Sequence, residues 1–451
     1  MRYSLDESYE RHGRVVIAGS PLTLFRLGSA GVGVTEAIEA GRDVDTSVLT
    51  DRLLDAGAIH PAIHSATHPA IYSANHSAVG PATGTTVGPG AGDARSATRV
   101  TVVTPTKNDT PGRGTHDGAR HIVVDDGSEP PLVGSHVRLD VNSGPAAARN
   151  AGLALVDTDL VAFVDTDVEA PDGWLEQLIA HFDDPRVGLV APRVRSAPGP
   201  GRLARYERDH SPLDLGAAPA RVRAGTRVSY VPAAAVVCRV AAVRGIGGFD
   251  TELRFGEDVD LVWRLEQAGW RCRYEPRFEL LHHPRGSWAA WARQRMGYGS
   301  SAAPLARRHP GALAPVSMSG WSAGAWLLGA VGHPVAGTAV GLGSALALTD
   351  VLDDVPPEVS FRLAALGNTH AGRTLAAAVR RVWWPIVGVA ALRSRIARRV
   401  AVVSLLAAGD PVRVLDDVAY GAGVWRGMIR ERTLAPLLPR FSSWPGRRTG
   451  R

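Results

Sequence analysis

Residues 160–174 read LVAFVDTDVEAPDGW. The five apolar residues from Leu160 to Val164 suit a strand buried on both faces. The run stops at Asp165-Thr166-Asp167, and Pro171 with Asp172 suits the first turn of a helix. Asp165 and Asp167 therefore stand at the carboxyl end of a strand, where open α/β sheets bind ligands. Two carboxylates one residue apart can share a hard cation through oxygen ligands. The same letters also describe a plain acidic turn, so the neighbouring stretches decide.

Those stretches alternate strands with helices. Residues 100–104 (VTVVT) form a β-branched strand ending at Pro105, and residues 121–124 (HIVV) a second ending at Asp125-Asp126-Gly127-Ser128. A short strand is expected at 137–139. The helix expected over 143–155 is entered through Ser143 as N-cap, with Pro145 in its first turn. A helix over 174–182 and a strand over 188–192 follow. Strands that each end in polar residues and alternate with helices imply a mostly parallel sheet, an α/β fold with a polar rim. Further on, 230–238 reads as a strand and Gly247-Gly248-Phe249-Asp250 as a glycine turn. Glu257 and Asp258 open a helix over 259–268 that Gly269 closes. Acidic residues there suit the helix dipole whether or not they do chemistry.

Taken in order, the first strand with Pro105, the Asp125–Ser128 turn, Arg149-Asn150, Asp165-Thr166-Asp167 and the stretch GGFDTELRFGEDVDLVWRLEQAGW resemble a family-2 glycosyltransferase with the GT-A fold, a Rossmann-like catalytic domain over residues 98–300. The resemblance implies that Asp258, with Glu257 beside it, supplies the catalytic base. It implies donor contacts from Pro105, Thr106, Asp125, Asp126, Arg149 and Asp165. It implies a divalent cation, manganese or magnesium, held by Asp167 and Asp165. His283, with His282 as the alternative, would add a neutral imidazole, as a downstream histidine does in several relatives. Attack by one base-activated hydroxyl implies inversion at the anomeric carbon. Gln294 stands where polymerising relatives carry Q-x-x-R-W, but the Arg-Trp pair is absent. A nucleotidyltransferase of similar fold would need a glycine-rich, lysine-bearing loop, and residues 105–109 (PTKND) lack the glycines.

The flanks widen the picture. Residues 1–59 combine two short strands, 14–18 and 22–27, with helices over 31–40 and 46–56 that Gly57 caps. This is similar to small winged-helix-like peptide-recognition modules; a purely structural extension fits as well. Residues 60–97 are a low-complexity His/Pro/Ala linker in which His60, His64, His68 and His76 recur. Such tracts bind metal or stay disordered, and the lack of an apolar face favours disorder. Residues 301–451 are expected to be helical and apolar. Residues 324–348 carry about 20 or more near-continuous apolar positions, the length of a span, though glycines and Pro334 also suit a re-entrant hairpin. Arg393, Arg395, Arg398 and Arg399 beside the apolar 386–392 patch suit anionic lipid.

Composition sets limits. The chain has 451 residues, formal net charge +6, 45% hydrophobic and 21% charged residues. Its positive charge is arginine apart from Lys107, with no basic block interleaved with aromatics, which argues against nucleic acid. Cys238 and Cys272 make neither a disulfide framework nor a metal spacing, and no signal-peptide core opens the chain. The whole layout is similar to that of the mycofactocin-system glycosyltransferases. That similarity implies a UDP-sugar donor and glucose units in β-1,4 linkage. It implies a peptide-derived redox cofactor precursor as acceptor, and a place on the cytoplasmic face of the membrane. A family-2 transferase acting on a glycolipid or polysaccharide is the alternative, and a non-catalytic sugar-nucleotide or peptide-binding module the reading from another class.

Overall fold

The structure is a computed structural model that describes residues 1–62, 99–109, 116 and 118–442. Most of the expected linker, with His64, His68 and His76, lies outside the described residues. The chain forms two compact units: Met1–Glu10 with Val16–Pro284, and Arg11–Val15 with Arg285–Arg451.

The chain opens with short strands β1 (Tyr3–Leu5), β2 (Glu10–His12), β3 (Val15–Ala18) and β4 (Thr23–Arg26), all in the first unit apart from residues 11–15. Helices α1 (Ser29–Glu39) and α2 (Val48–Ala56) and strand β5 (Ile59–Pro61) follow. Strand β5 returns to pair antiparallel with β1. Val16, Phe25, Ile38, Leu53 and Ile59 close a small core. Helix α2 starts and stops for local reasons. The Ser47 hydroxyl accepts from Thr50 N–H (3.2 Å) and the Thr50 hydroxyl from Ser47 N–H (2.7 Å), a capping box worth ~1 kcal/mol. Gly57 ends the helix in the left-handed conformation, φ 70°.

The nine-stranded mixed sheet follows, built from β6 (Val100–Thr106), β7 (Arg120–Asp126), β8 (Val137–Leu139), β9 (Leu160–Val164), β10 (Val168–Glu169), β11 (Val187–Ser196), β12 (Ala220–Val222), β13 (Ala235–Arg239) and β14 (Arg271–His282). Its order is β10-β14-β11-β13-β9-β6-β7-β8, with β12 on β14. Strands β9, β6, β7 and β8 run parallel, as the alternation requires; β13 enters antiparallel between β9 and β11. All five β9 residues are buried, so the apolar run reflects cover on both faces. Helix α3 (Pro145–Ala154) and α4 (Trp174–Ile179) follow β8 and β10; α5 (Gly201–His210), α6 (Val240–Gly245) and α7 (Glu257–Gln267) complete the unit.

The cap expected from Ser143 is corrected. The N-cap is Gly144 at φ 94°, and no side chain caps it locally. Asp126, at the end of β7, holds the chain entering the helix instead, its carboxylate accepting from Ser143 N–H (2.7 Å) and Gly144 N–H (2.9 Å). Strand β14 runs to His282 by pairing with β11 and then β10.

The second unit is helical: α8 (Trp288–Ser300), α9 (Ala302–Arg308), α10 (Gly320–Ala330), α11 (Pro334–Val351), α12 (Pro357–Ala378), α13 (Trp384–Ala391), α14 (Arg395–Leu406) and α15 (Pro411–Glu431). Short strands β15 (Ser317–Ser319) and β16 (Arg440–Ser442) pair in parallel. The apolar 324–348 stretch is not one helix. It breaks at Gly332 (φ 103°) and His333, as Pro334 starts α11. Among the described residues one helix, α11, is long and apolar enough to cross a membrane.

Candidate active site

Helix α3 organises the site. Arg149 is 3% exposed. Its Nη2 donates to Asp165 Oδ1 (2.7 Å) at the end of β9, and its Nη1 to Glu257 Oε1 (2.8 Å) at the start of α7. The guanidinium also lies 5.4 Å from the centre of the Phe249 ring. Burial works against its charge, but Asp165 and Glu257 outweigh it and raise its pKa. Next to it, Asn150 donates to Phe249 O (2.8 Å) and accepts from Phe249 N–H (2.9 Å). This clamps the glycine turn. Gly248 sits at φ 75°, and a Cβ there would meet Asn150 Oδ1 at 2.5 Å.

One loop joins the remaining acids. Ala234 O accepts from Asp165 N–H (2.9 Å), while Ala233 N–H donates to Asp258 Oδ2 (3.3 Å). Asp165, Asp167 and Asp258 are each partly exposed. Asp165 and Asp258, 93 positions apart in sequence, thus meet on a single rim. Three carboxylates, Asp165, Glu257 and Asp258, surround the single guanidinium of Arg149. Burial and the charge of Asp258 push Glu257 up to about 7, against the pull of Arg149. Burial raises Asp258 as well, against its backbone hydrogen bonds and Arg149. The pair binds a proton more tightly than free carboxylates do.

Asp167 follows β9 on the same turn. Its Oδ2 lies 3.3 Å from Nε2 of His282. His283, the imidazole favoured from sequence, turns instead to Glu169 Oε1 at 2.7 Å. The histidine beside Asp167 is therefore His282. Alternation explains it: Leu280 and His282 share the buried face of β14, and His283 points away. That signal is legible once β14 is extended through residue 282.

Among the described residues, no three His, Cys, Asp or Glu groups form a ready-made metal cage. The fit for a divalent cation is therefore partial. Asp167 and His282 offer one oxygen and one nitrogen donor, and a hard cation would take further ligands from a phosphate-bearing substrate and water. Asp165, expected as a co-ligand, has one oxygen committed to Arg149.

The residues expected to contact a nucleotide sit at the ends of β6 and β7. Pro105 and Thr106 close β6, and the Thr106 hydroxyl donates to Asp109 O (2.6 Å). Asp125 is fully buried and accepts from Ser128 N–H (2.8 Å), Leu132 N–H (3.0 Å) and Arg138. Burial would raise its pKa, but these hydrogen bonds hold it at about 2. Asp125 and Asp126 thus fix the loops that follow β7 and precede α3. Arg149, expected to face the donor, spends two donors on protein carboxylates. Its 108-residue reach to Glu257 was beyond local sequence signals.

The family model for Glycosyl transferase family 2 matches residues 106–243. The chain is 38% identical over 479 residues to the pre-mycofactocin glycosyltransferase of Mycobacterium tuberculosis (strain ATCC 25618 / H37Rv), covering 95% of each chain. It is 28% identical over 144 residues to the poly-beta-1,6-N-acetyl-D-glucosamine synthase of Staphylococcus aureus (strain COL), covering 31% of this chain and 34% of that one. Among solved structures, the mannosyltransferase PcManGT from Pyrobaculum calidifontis, in complex with GDP-Man and Mn2+, aligns with TM-score 0.41 and 17% identity over 73% of this chain and 87% of that one. The near full-length identity and the family-2 match define a glycosyltransferase of the mycofactocin pathway with a GT-A catalytic domain and a helical C-terminal region: the chain belongs to the pre-mycofactocin glycosyltransferase family.

Proposed function

We propose that the chain transfers glucose from UDP-glucose to a peptide-derived redox cofactor precursor and extends it as a β-1,4-linked chain, with inversion at each transfer. The observation that carries the chemistry is the Arg149 bridge, which holds Asp165 2.7 Å and Glu257 2.8 Å from one guanidinium and so keeps Asp258 on the rim that bears Asp167. In this reading Asp258 accepts the proton of the acceptor hydroxyl as that oxygen attacks the anomeric carbon. Asp167 and His282 would hold manganese or magnesium, which would supply positive charge against a departing diphosphate. Pro105 and Thr106 lie where β6 ends and would line the base pocket, with Asp125 holding the loop after β7 beside it; Arg149 positions the acids.

The same proposal divides the chain into a peptide-recognition-like module over residues 1–59, a linker over 60–97, a catalytic domain over 98–300 and a C-terminal region over 301–451. The last would contact the cytoplasmic face of the membrane. Support for that contact is the exposure of Leu342 (54%), Leu346 (59%), Val403 (61%) and Leu406 (75%) on helices α11 and α14.

Incubation with a panel of nucleotide sugars, manganese or magnesium and the peptide-derived acceptor, read by mass, tests the reading. Successive additions of one hexose from UDP-glucose support it. Transfer only from another donor, or only to a lipid, overturns the substrate assignment.

A further inference from the structure

A polar cavity lies in the first unit, where residues 54–61 meet strands β12 and β14. With its side chains as they stand it measures ≈ 20 Å³, the space of one or two ordered waters, and His60, His181, Arg221, Arg271, Arg273 and Glu275 line it. Its walls are short of negative charge. Arg271 is well matched: Asp55 (2.7 Å), Asp184 (3.1 Å) and Asp51 (3.3 Å) all accept from it. Arg273 shares Asp184 at 2.8 Å. Arg221 has no ion pair among the described residues, and its Nε and Nη1 are buried without a hydrogen-bond partner.

The register makes this costlier. Arg221 of β12 stands directly opposite Arg273 of β14. Like charges facing each other across antiparallel strands repel. Burial and the nearby Arg271 and Arg221 bring Arg273 down to about 10, even with Asp184 beside it. His181 is 3% exposed; its Nε2 lies 3.2 Å from Glu275, and its Nδ1 is buried and unpartnered. Buried charges are normally paired, so this wall lacks an acceptor.

We propose that the cavity binds a small oxyanion of the phosphate or carboxylate class, held by Arg221 and Arg273 at the seam between residues 54–61 and the sheet. Several donors from two guanidinium groups call for more than one acceptor atom, which an oxyanion supplies and a halide does not. The site is separate from the Asp165–Asp167–Asp258 rim, so its test stands apart from sugar transfer.

The test is thermal unfolding of the full chain, titrated with sodium phosphate, sodium acetate or sodium chloride at fixed ionic strength. The proposal expects a saturable rise of about 2–4 °C with phosphate or acetate over chloride. It expects that rise to vanish in Arg221→Gln, whose melting point without added anion is no lower than that of the parent. A response to phosphate alone identifies a free inorganic ion as the source; one to acetate alone identifies a carboxylate, as at a peptide end. Should Arg221→Gln fail to fold, Arg221→Lys decides: the rise then needs more anion to saturate. No saturable rise with either oxyanion, or the same rise in the Arg221 variants, overturns the proposal.

Discussion

Arg149 is worth more as a brace than as a donor contact. It is buried, and its two ion pairs at 2.7 and 2.8 Å join elements 108 residues apart. Arg149→Met leaves the buried Glu257 and the partly exposed Asp165 without their shared partner, and breaking a buried pair costs about 3–5 kcal/mol in systems of this kind. Urea unfolding is expected to show a loss of that size, and an unchanged midpoint would count against the brace. Glu257 adds a pH signature. Its pKa is raised from 4.5 to about 7 by burial and by Asp258. The stability it contributes is full below 4.5 and fades as pH rises through about 7. Unfolding free energies measured between pH 5 and 8 are expected to fall across that window in the parent and to fall less in Glu257→Gln. Equal slopes would remove the shift.

At the scale of elements, the close approach of α3 to the sheet sets how firmly Arg149 is presented. Gly152 faces Val103, and a Cβ there would meet Val103 Cγ1 at 2.3 Å. Gly152→Ala is expected to cost about 1–3 kcal/mol by overpacking, read by the same urea experiment; a neutral result means that the helix sits farther off. Much of this layer was legible in the sequence. The apolar run of β9, the β-branched β6 and the polar strand ends announce a sheet whose rim carries the acids, because burial on both faces and parallel pairing leave strong local signatures. What stayed hidden depends on distant partners. Asp126, on another strand, ties down Ser143 and Gly144 at the entry to α3, and the N-cap falls on Gly144 where Ser143 was expected. His282 rather than His283 faces Asp167, because β14 continues only where β11 and β10 pair with it. The 324–348 stretch divides at Gly332 and Pro334, the residues that in the sequence already suited a hairpin as well as a span.

At the scale of the whole molecule, each unit carries its own claim. In the C-terminal unit, α14 places Arg395, Arg398 and Arg399 ahead of the exposed Val402, Val403, Leu405 and Leu406. Such a helix suits an anionic lipid surface, with apolar side chains at the acyl boundary and arginines among the headgroups. The full chain is expected to float with vesicles rich in anionic lipid, and Val403→Glu with Leu406→Glu to reduce that fraction several-fold; undiminished flotation would move the contact elsewhere. In the first unit, everything rests on three acids serving one reaction. The most direct measurement is transfer rate and donor affinity together in Asp258→Asn. The account predicts UDP-sugar binding close to that of the parent and transfer slower by ~100- to 10,000-fold, the usual worth of a general base. Transfer at the parental rate would contradict it.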